Sequence, residues 1–379
     1  MPDYDLCFST SATDDAGSFK LLELPPELTQ LVDAATKNSA PLALTIKGQV
    51  NEDAVLCTND KTYALRSVAL SNSVLVVTPS AHDFSLSNVS GREAVAIRDE
   101  LHEILELIPT VPRLYKLAGL LRGREYDESD ESHSHLTDQT MGFYSYQDAR
   151  NEIQASDAEL DRGLKERRIL VIRGSLRSIS KDYLQNLLEI VLNLLVSLAF
   201  PYDNVPLDDL VSSLAEEHEV PRTISIQLLA WFGEVDESER KWKMDVEAVL
   251  REVGMGLLRH HRRDPISKEA FMSKWKAAVG DAFENLIDIK LLSGNCLVST
   301  SNDTDHLTFF PSSELPKDPA QRFADLFLTR TRWKGDDIAP FLGGIAVNSK
   351  DRDRLLLKYC RASTDTQGVW YTSRTQYNG

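Results

Sequence analysis

The chain is poor in the features that mark catalysis, secretion and membrane insertion. It holds four cysteines in 379 residues, Cys7, Cys57, Cys296 and Cys360. They lie far apart with no CxxC pair, which excludes a disulfide framework or zinc module and fits a reducing intracellular compartment. There is no GxxxxGK[ST] phosphate loop, no GxGxxG after a strand, no HExxH and no GxSxG, so no catalytic constellation assembles. The chain reads as a non-enzyme needing no cofactor and no metal. His133 and His135 are two histidines without further ligands in a polar run, a poor metal site. The N-terminal Met-Pro-Asp-Tyr-Asp is acidic and lacks the apolar run of a secretory signal. The one long apolar stretch, residues 183–200, carries Asn186, Glu189, Asn193 and Ser197 in a polar line at helical spacing, so a buried helix is expected and no membrane span.

Positive charge is also scarce, and unevenly placed. The chain has 42 Lys+Arg against 58 Asp+Glu, net -16. Residues 320–379 nevertheless hold 10 against 6, net +4, leaving 32 against 52, net -20, for residues 1–319. An acidic protein binds nucleic acid poorly unless its cations are gathered, and here they are gathered at one end.

Four domains are expected: 1–90, 91–200 with an acidic insertion at 123–139, 201–318, and 319–379. In the first, 42–47, 54–58, 62–68 and 73–78 read as short strands, with Asn59-Asp60 as a turn between two of them. Such a small all-β unit is expected to keep unpaired edges that another chain completes. Residues 92–108 place apolar side chains at helical spacing and read as a helix stopped by Pro109 and Pro112. Ser156-Asp-Ala-Glu159 is a capping box ahead of a short helix, 169–172 and 175–179 read as strands, and a long helix starts at Lys181. Residues 207–218 and 221–233 form a helix pair with helix-turn-helix spacing, followed by helices at 246–261 and 267–279. Ile289-Lys-Leu-Leu and Leu307-Thr-Phe-Phe-Pro then flank a wing-like loop. The Arg259-His-His-Arg-Arg263 cluster reads as complementing a helix's negative pole, in preference to a nucleic-acid contact.

The last domain opens with an amphipathic helix at 319–330 and a basic link, Arg332-Trp-Lys334. After a short helix at 336–342, residues 348–361 read as a helix capped by Ser349. On it Lys350, Arg354, Lys358 and Arg361 fall on one stripe, opposite Leu355, Leu356, Tyr359 and Cys360. Residues 368–373 read as a strand with Arg374 beyond it. Helix, turn, helix, strand outlines a winged helix, a class whose second helix commonly meets nucleic acid. The expected contacts are Lys350, Arg354, Lys358 and Arg361, with Arg374 on phosphate and Arg332 and Lys334 at the rim. They suit phosphate neutralisation, because the stripe lacks the Asn and Gln that read adenine edges. That lack speaks against a sequence-specific regulator. A winged-helix adaptor that binds only protein is the competing expectation.

Leu21-Leu-Glu-Leu-Pro-Pro-Glu-Leu28, Ile46-Lys-Gly48, the run from Ala54-Val-Leu-Cys-Thr to Ser73, Lys358-Tyr-Cys-Arg361 and Trp370-Tyr-Thr-Ser-Arg374 resemble the sister chromatid cohesion protein Dcc family. The resemblance spans nearly the whole chain and is strongest at its two ends. It implies an α+β multidomain fold: a small β-barrel-like domain completed by partner subunits, then three tandem winged-helix domains. It further implies a nuclear, non-ATPase accessory subunit of an alternative replication-factor-C-like clamp loader. The implied partners are the large ATPase subunit and the small companion subunit through residues 1–90, the catalytic subunit of DNA polymerase epsilon, and single- and double-stranded DNA. The sliding clamp is implied only indirectly, and no membrane is.

Overall fold

Two long strands form the spine of the N-terminal part. In the computed structural model, which describes residues 4–8, 19–39, 41–79, 93–123, 125–129, 144–301, 303–366 and 368–374, the chain divides into two units. Unit 1 comprises residues 1–112 with 154–159, and unit 2 the rest. The first strands of unit 1 are β1 (Tyr4–Phe8) and β2 (Leu21–Glu23), and they precede helix α1 (Pro26–Asn38). Strands β3 (Thr45–Lys47), β4 (Val55–Cys57), β5 (Thr62–Pro79) and β6 (Glu93–Pro109) follow. They pair in the order β1-β6-β5-β4-β3, with β2 also on β6.

The mixed sheet is open among the described residues, so the expected barrel closure is absent there. Of the four strands expected at 42–78, the first two appear in shortened form as β3 and β4, whereas the two expected at 62–68 and 73–78 are one strand, β5, with an irregularity between Ala69 and Val74. The helix expected at 92–108 is instead β6, paired antiparallel with β5 from Tyr63↔Pro109 to Pro79↔Val95 with irregularities at Ala69/Val74 and Val76/Val77. Cross-strand pairing decides this outcome against local periodicity. The charges that would have lined a helix are met across the sheet: Glu106 accepts from Arg66, Glu103 from Ser67 (2.5 Å) and Lys20 (2.7 Å), and Arg98 donates to Thr78 (2.8 Å).

Residues 154–159 dock on this sheet through polar contacts. Lys47, 6% exposed, donates to the Ala155 carbonyl at 2.7 Å. The Gln154 amide donates to Asp53 O at 2.7 Å, and the Thr62 hydroxyl donates to Glu159 at 2.5 Å. The expected capping box is formed, with Ser156 N–H donating to Glu159 (3.1 Å) and Glu159 N–H to Ser156 Oγ (3.2 Å).

Unit 2 repeats one topology. It begins with α2 (Lys116–Leu120), α3 (Tyr146–Glu152), α4 (Asp157–Glu166, whose first residues count with unit 1), the hairpin β7 (Ile169–Ile172) and β8 (Ser175–Ser178), and α5 (Lys181–Ser197). Next come β9 (Val205–Pro206), α6 (Leu207–Glu217), α7 (Arg222–Trp231), and the hairpin β10 (Gly233–Asp236) and β11 (Lys241–Met244). Helix α8 (Val246–Arg259), β12 (Ile266–Ser267), α9 (Lys268–Val279), β13 (Cys296–Ser301) and β14 (Thr304–Phe309) follow. The chain closes with α10 (Pro319–Thr329), β15 (Arg332–Lys334), α11 (Gly335–Ile338), α12 (Ser349–Tyr359), β16 (Cys360–Asp365) and β17 (Gly368–Ser373).

Each three-stranded sheet joins a short strand, set before a helical segment, to the second strand of the hairpin that follows: β9 to β11, β12 to β14, β15 to β17. The earliest version is reduced to an isolated bridge, Ser145↔Ser175, beside β7 and β8. Two repeats therefore succeed each other within 201–318. The hairpin β10–β11 was not anticipated. Ile289–Leu292 is a 3-10 turn, and the second wing-like hairpin is β13–β14.

Helix α5 buries Leu184, Leu187, Leu188, Val191, Leu192, Leu194 and Leu195, and among the described residues no helix is long and apolar enough to cross a membrane. Helices α8 and α9 approach at Gly254, where an added Cβ would lie 2.6 Å from the Trp275 ring. The histidine pair at 133 and 135, with the rest of the acidic insertion beyond 129, lies outside the described residues.

Arg322 is fully buried and, among the described residues, is held without a carboxylate. Its guanidinium donates to the carbonyls of Pro316 (2.7 Å), Phe341 (2.6 Å), Ser312 (2.9 Å) and Leu315 (3.1 Å). Replacing it by Met strands these acceptors, so Arg322→Met is expected to lower unfolding stability by about 3 kcal/mol or more. Urea denaturation of the full chain measures this; a loss under about 1 kcal/mol would show that water replaces the guanidinium.

Candidate nucleic-acid interface

The C-terminal repeat presents its cations because its elements turn their apolar faces to a common core. Helix α10 contributes Phe323, Leu326 and Phe327, β15 contributes Trp333, and the turn after α11 contributes Phe341 and Leu342. The Trp333 and Phe341 rings meet edge to face at 5.4 Å, and the Trp333 indole N–H donates to Leu326 O at 3.0 Å. On α12, Leu356 is buried, Leu355 and Tyr359 are half-buried, and Tyr359 stacks on Phe323 at 4.9 Å. This is the apolar arc expected from the sequence.

The helix start differs from expectation. Asn348, not Ser349, is the cap, accepting from Asp351 N–H at 2.9 Å. Lys350, Arg354 and Lys358 recur every four residues on α12 and all three are exposed. Arg354 lies 3.8 Å from Asp351 but remains 73% exposed, a weak pairing. Lys350 has no carboxylate within salt-bridge reach among the described residues, and Lys358 has only the Tyr359 ring at 5.2 Å. Leu357, 70% exposed, lies along the same row.

Arg361 does not belong to this row. The helix ends at Tyr359, and Cys360 begins the edge strand β16. Burial of the Cys360 side chain pushes its thiol up to about 12. The register β15-β17-β16 then gathers a second group. Arg332, Thr372 and Arg361 form one rung and Lys334, Trp370 and Ser363 the next, so these side chains share one face of the sheet. Trp333, Tyr371 and Cys360 occupy the other face, toward the core.

The rim residues are partly engaged. Arg332 donates to Asp365 at 2.8 Å and lies over the Trp370 ring at 4.3 Å. Arg374 donates through Nε to Cys360 O at 2.9 Å, which ties it to the end of the sheet. The seven expected residues thus separate into a helix row and a sheet face, with Arg374 as a clamp beside them. Sequence reasoning missed Trp370 as part of the site. Its alternation with Thr372 and Arg374 along a strand was the available signal.

Two cations of the basic cluster earlier in the chain, expected to complement a helix's negative pole, are instead paired with carboxylates. Arg259 reaches Glu252 at 2.7 Å, and Arg262 reaches Glu314 at 2.6 Å.

Residues 19–342 match the family described as sister chromatid cohesion protein Dcc1. The chain is similar to the Homo sapiens sister chromatid cohesion protein DCC1, 28% identical over 367 residues, covering 95% of this chain and 89% of the relative. It is also similar to the Danio rerio protein of that name, 27% identical and covering 97% and 92%, and to that of Saccharomyces cerevisiae, 23% identical and covering 96% and 98%.

Changing Lys350, Arg354 and Lys358 together to Glu in the full chain is expected to lower duplex DNA affinity at least about tenfold near 0.1 M salt and to flatten the slope of log affinity against log salt by about 2 to 3. Fluorescence anisotropy across a salt series measures both. An unchanged slope would remove the helix row from the interface.

Proposed function

The chain belongs to the sister chromatid cohesion protein Dcc1 family, and we propose that it serves in sister chromatid cohesion and DNA replication in the nucleus as a non-catalytic, scaffolding subunit of an alternative replication-factor-C-like clamp loader. The observation that carries the scaffolding role is the one-sided pairing of β5. On one side β6 runs along most of it; on the other, β4 pairs only with Thr62, Tyr63 and Ala64. From Arg66 to Thr78 that second side has no partner strand among the described residues. Val74 (39%), Leu75 (39%) and Val77 (42%) are exposed along this stretch. A long, apolar, unpaired edge is an aggregation hazard in a free protein and a template for strand addition in an assembly. Strands from the large ATPase subunit and the small companion subunit would complete the sheet into a shared barrel.

The recurring short strand, helices and hairpin of unit 2 are winged-helix units in this reading, offering surfaces to the catalytic subunit of DNA polymerase epsilon and to DNA. Their division of labour follows from charge. In the repeat built on β9–β11, two cations at the hairpin pair locally, Arg240 with Asp208 and Lys241 with Glu239 at 2.7 Å. That repeat suits protein contacts, whereas the helix row of the last repeat suits phosphate. The sliding clamp is reached only through the assembly.

Val74→Lys with Val77→Lys places charge on two exposed side chains of the open-edged stretch; both residues also pair with β6, at Leu101 and Ile97, through backbone groups that the substitutions keep. The pair is expected to abolish co-purification of co-expressed partner subunits while changing the melting temperature of the isolated chain by less than about 3 °C. Retained co-purification would contradict strand addition at this edge.

A further inference from the structure

The outer face of the last sheet carries an aromatic residue that phosphate neutralisation does not require. Trp370 lies on the central strand β17, between Lys334 of β15 and Ser363 of β16, and is not among the residues packed on the core of this repeat. The other four tryptophans, Trp231 (7%), Trp242 (1%), Trp275 (0%) and Trp333 (1%), are buried. Trp370 is half-exposed, and its orientation is set: the indole N–H donates to Asp365 at 2.9 Å while the Arg332 guanidinium, bound to the same carboxylate, covers the ring at 4.3 Å. Lys334 lies beside the indole on its own rung and Arg361 on the neighbouring rung of the same face, neither with a carboxylate partner among the described residues. A fixed indole among cations on an open strand surface is the composition that holds unpaired bases, whose faces a duplex keeps stacked inside itself.

We propose that this sheet face is a single-strand-selective nucleic-acid site in which Trp370 stacks a base and Arg332, Lys334 and Arg361 hold the flanking phosphates. Asp365 occupies the position of a phosphate in the free protein. An incoming phosphate competes with it for Arg332, and movement of the guanidinium bares the indole face that the base then covers. Asp365 remains as the acceptor for the indole N–H, so the ring stays oriented. The inference rests on the nucleic-acid role of the last repeat proposed above and assigns the unpaired strand to the sheet and the duplex to the helix row.

The test titrates the full-length protein with oligo-dT and, separately, with a duplex of equal length, following anisotropy and intrinsic fluorescence. Oligo-dT is expected to quench emission. Trp370→Phe is expected to abolish the quench but keep most of the affinity, because Phe retains a stacking face. Trp370→Ala is expected to weaken oligo-dT binding about tenfold while duplex affinity changes less than about twofold. Asp365→Asn is expected to tighten oligo-dT binding, since it frees Arg332 and keeps an acceptor for the indole. Loss of oligo-dT and duplex affinity in equal measure on Trp370→Ala would overturn single-strand selectivity while leaving the nucleic-acid role standing. Full oligo-dT affinity in Trp370→Ala would overturn the stacking site. Absence of binding to either form by the unaltered protein would overturn the underlying role as well.

Discussion

The β5–β6 ladder is the interaction on which unit 1 depends. Strand β6 carries β1 and β2 on its far side, and β5 carries β4 and through it β3, so the remaining strands attach to one of these two. A strand offers backbone donors and acceptors on both edges, and among the described residues β5 uses its second edge only at its first residues. Backbone groups left in water cost little, but a flat run of them beside exposed valine and leucine invites another strand. The dock of residues 154–159 is held by several polar contacts by contrast, with a buried lysine, a capping box and a threonine-to-glutamate hydrogen bond, and only the Gln154 side-chain oxygen among its described side-chain atoms is buried without a partner. One surface of the unit is finished and the other is not.

In the last repeat, a small core forces every element to be single-faced. Trp333, Phe341, Phe323 and Leu356 draw the helix and sheet together, and Arg322 fixes the carbonyls around them. Spending one face of α12 and one face of the sheet on that core leaves Lys350, Arg354 and Lys358 outward on the helix and Arg332, Lys334, Arg361 and Trp370 outward on the sheet. The charge asymmetry of the sequence becomes a geometric one only through this packing.

Much of this was legible in the residues. The period-two runs of unit 1, the Ser156–Glu159 capping box, the long helix after Lys181, and the apolar arc of Leu355, Leu356 and Tyr359 express local preferences that the fold keeps. The misreadings share a cause in partners distant in sequence. Glu-Leu-His-Glu-Ile-Leu-Glu-Leu-Ile satisfies a helical period as readily as a strand, and only the ladder to residues 63–79 decides between them. Cys360 and Arg361 continue the helical spacing, but pairing with Ser373 and Thr372 pulls them into β16. Helix α1 went unread although Pro26 at its first position and Glu27 beside it are ordinary start signals. Trp370 was visible as a letter, while its place among cations required the sheet register.

Amide hydrogen exchange on the full chain, alone and with its co-expressed partner subunits, tests the central claim most directly. The account predicts that alternate amides of residues 66–78, those not donated to β6, exchange rapidly in the free protein and become protected in the assembly, while the amides donated to β6 are slow in both. Uniform protection of residues 66–78 in the free chain would mean that the edge is already closed, and would contradict it.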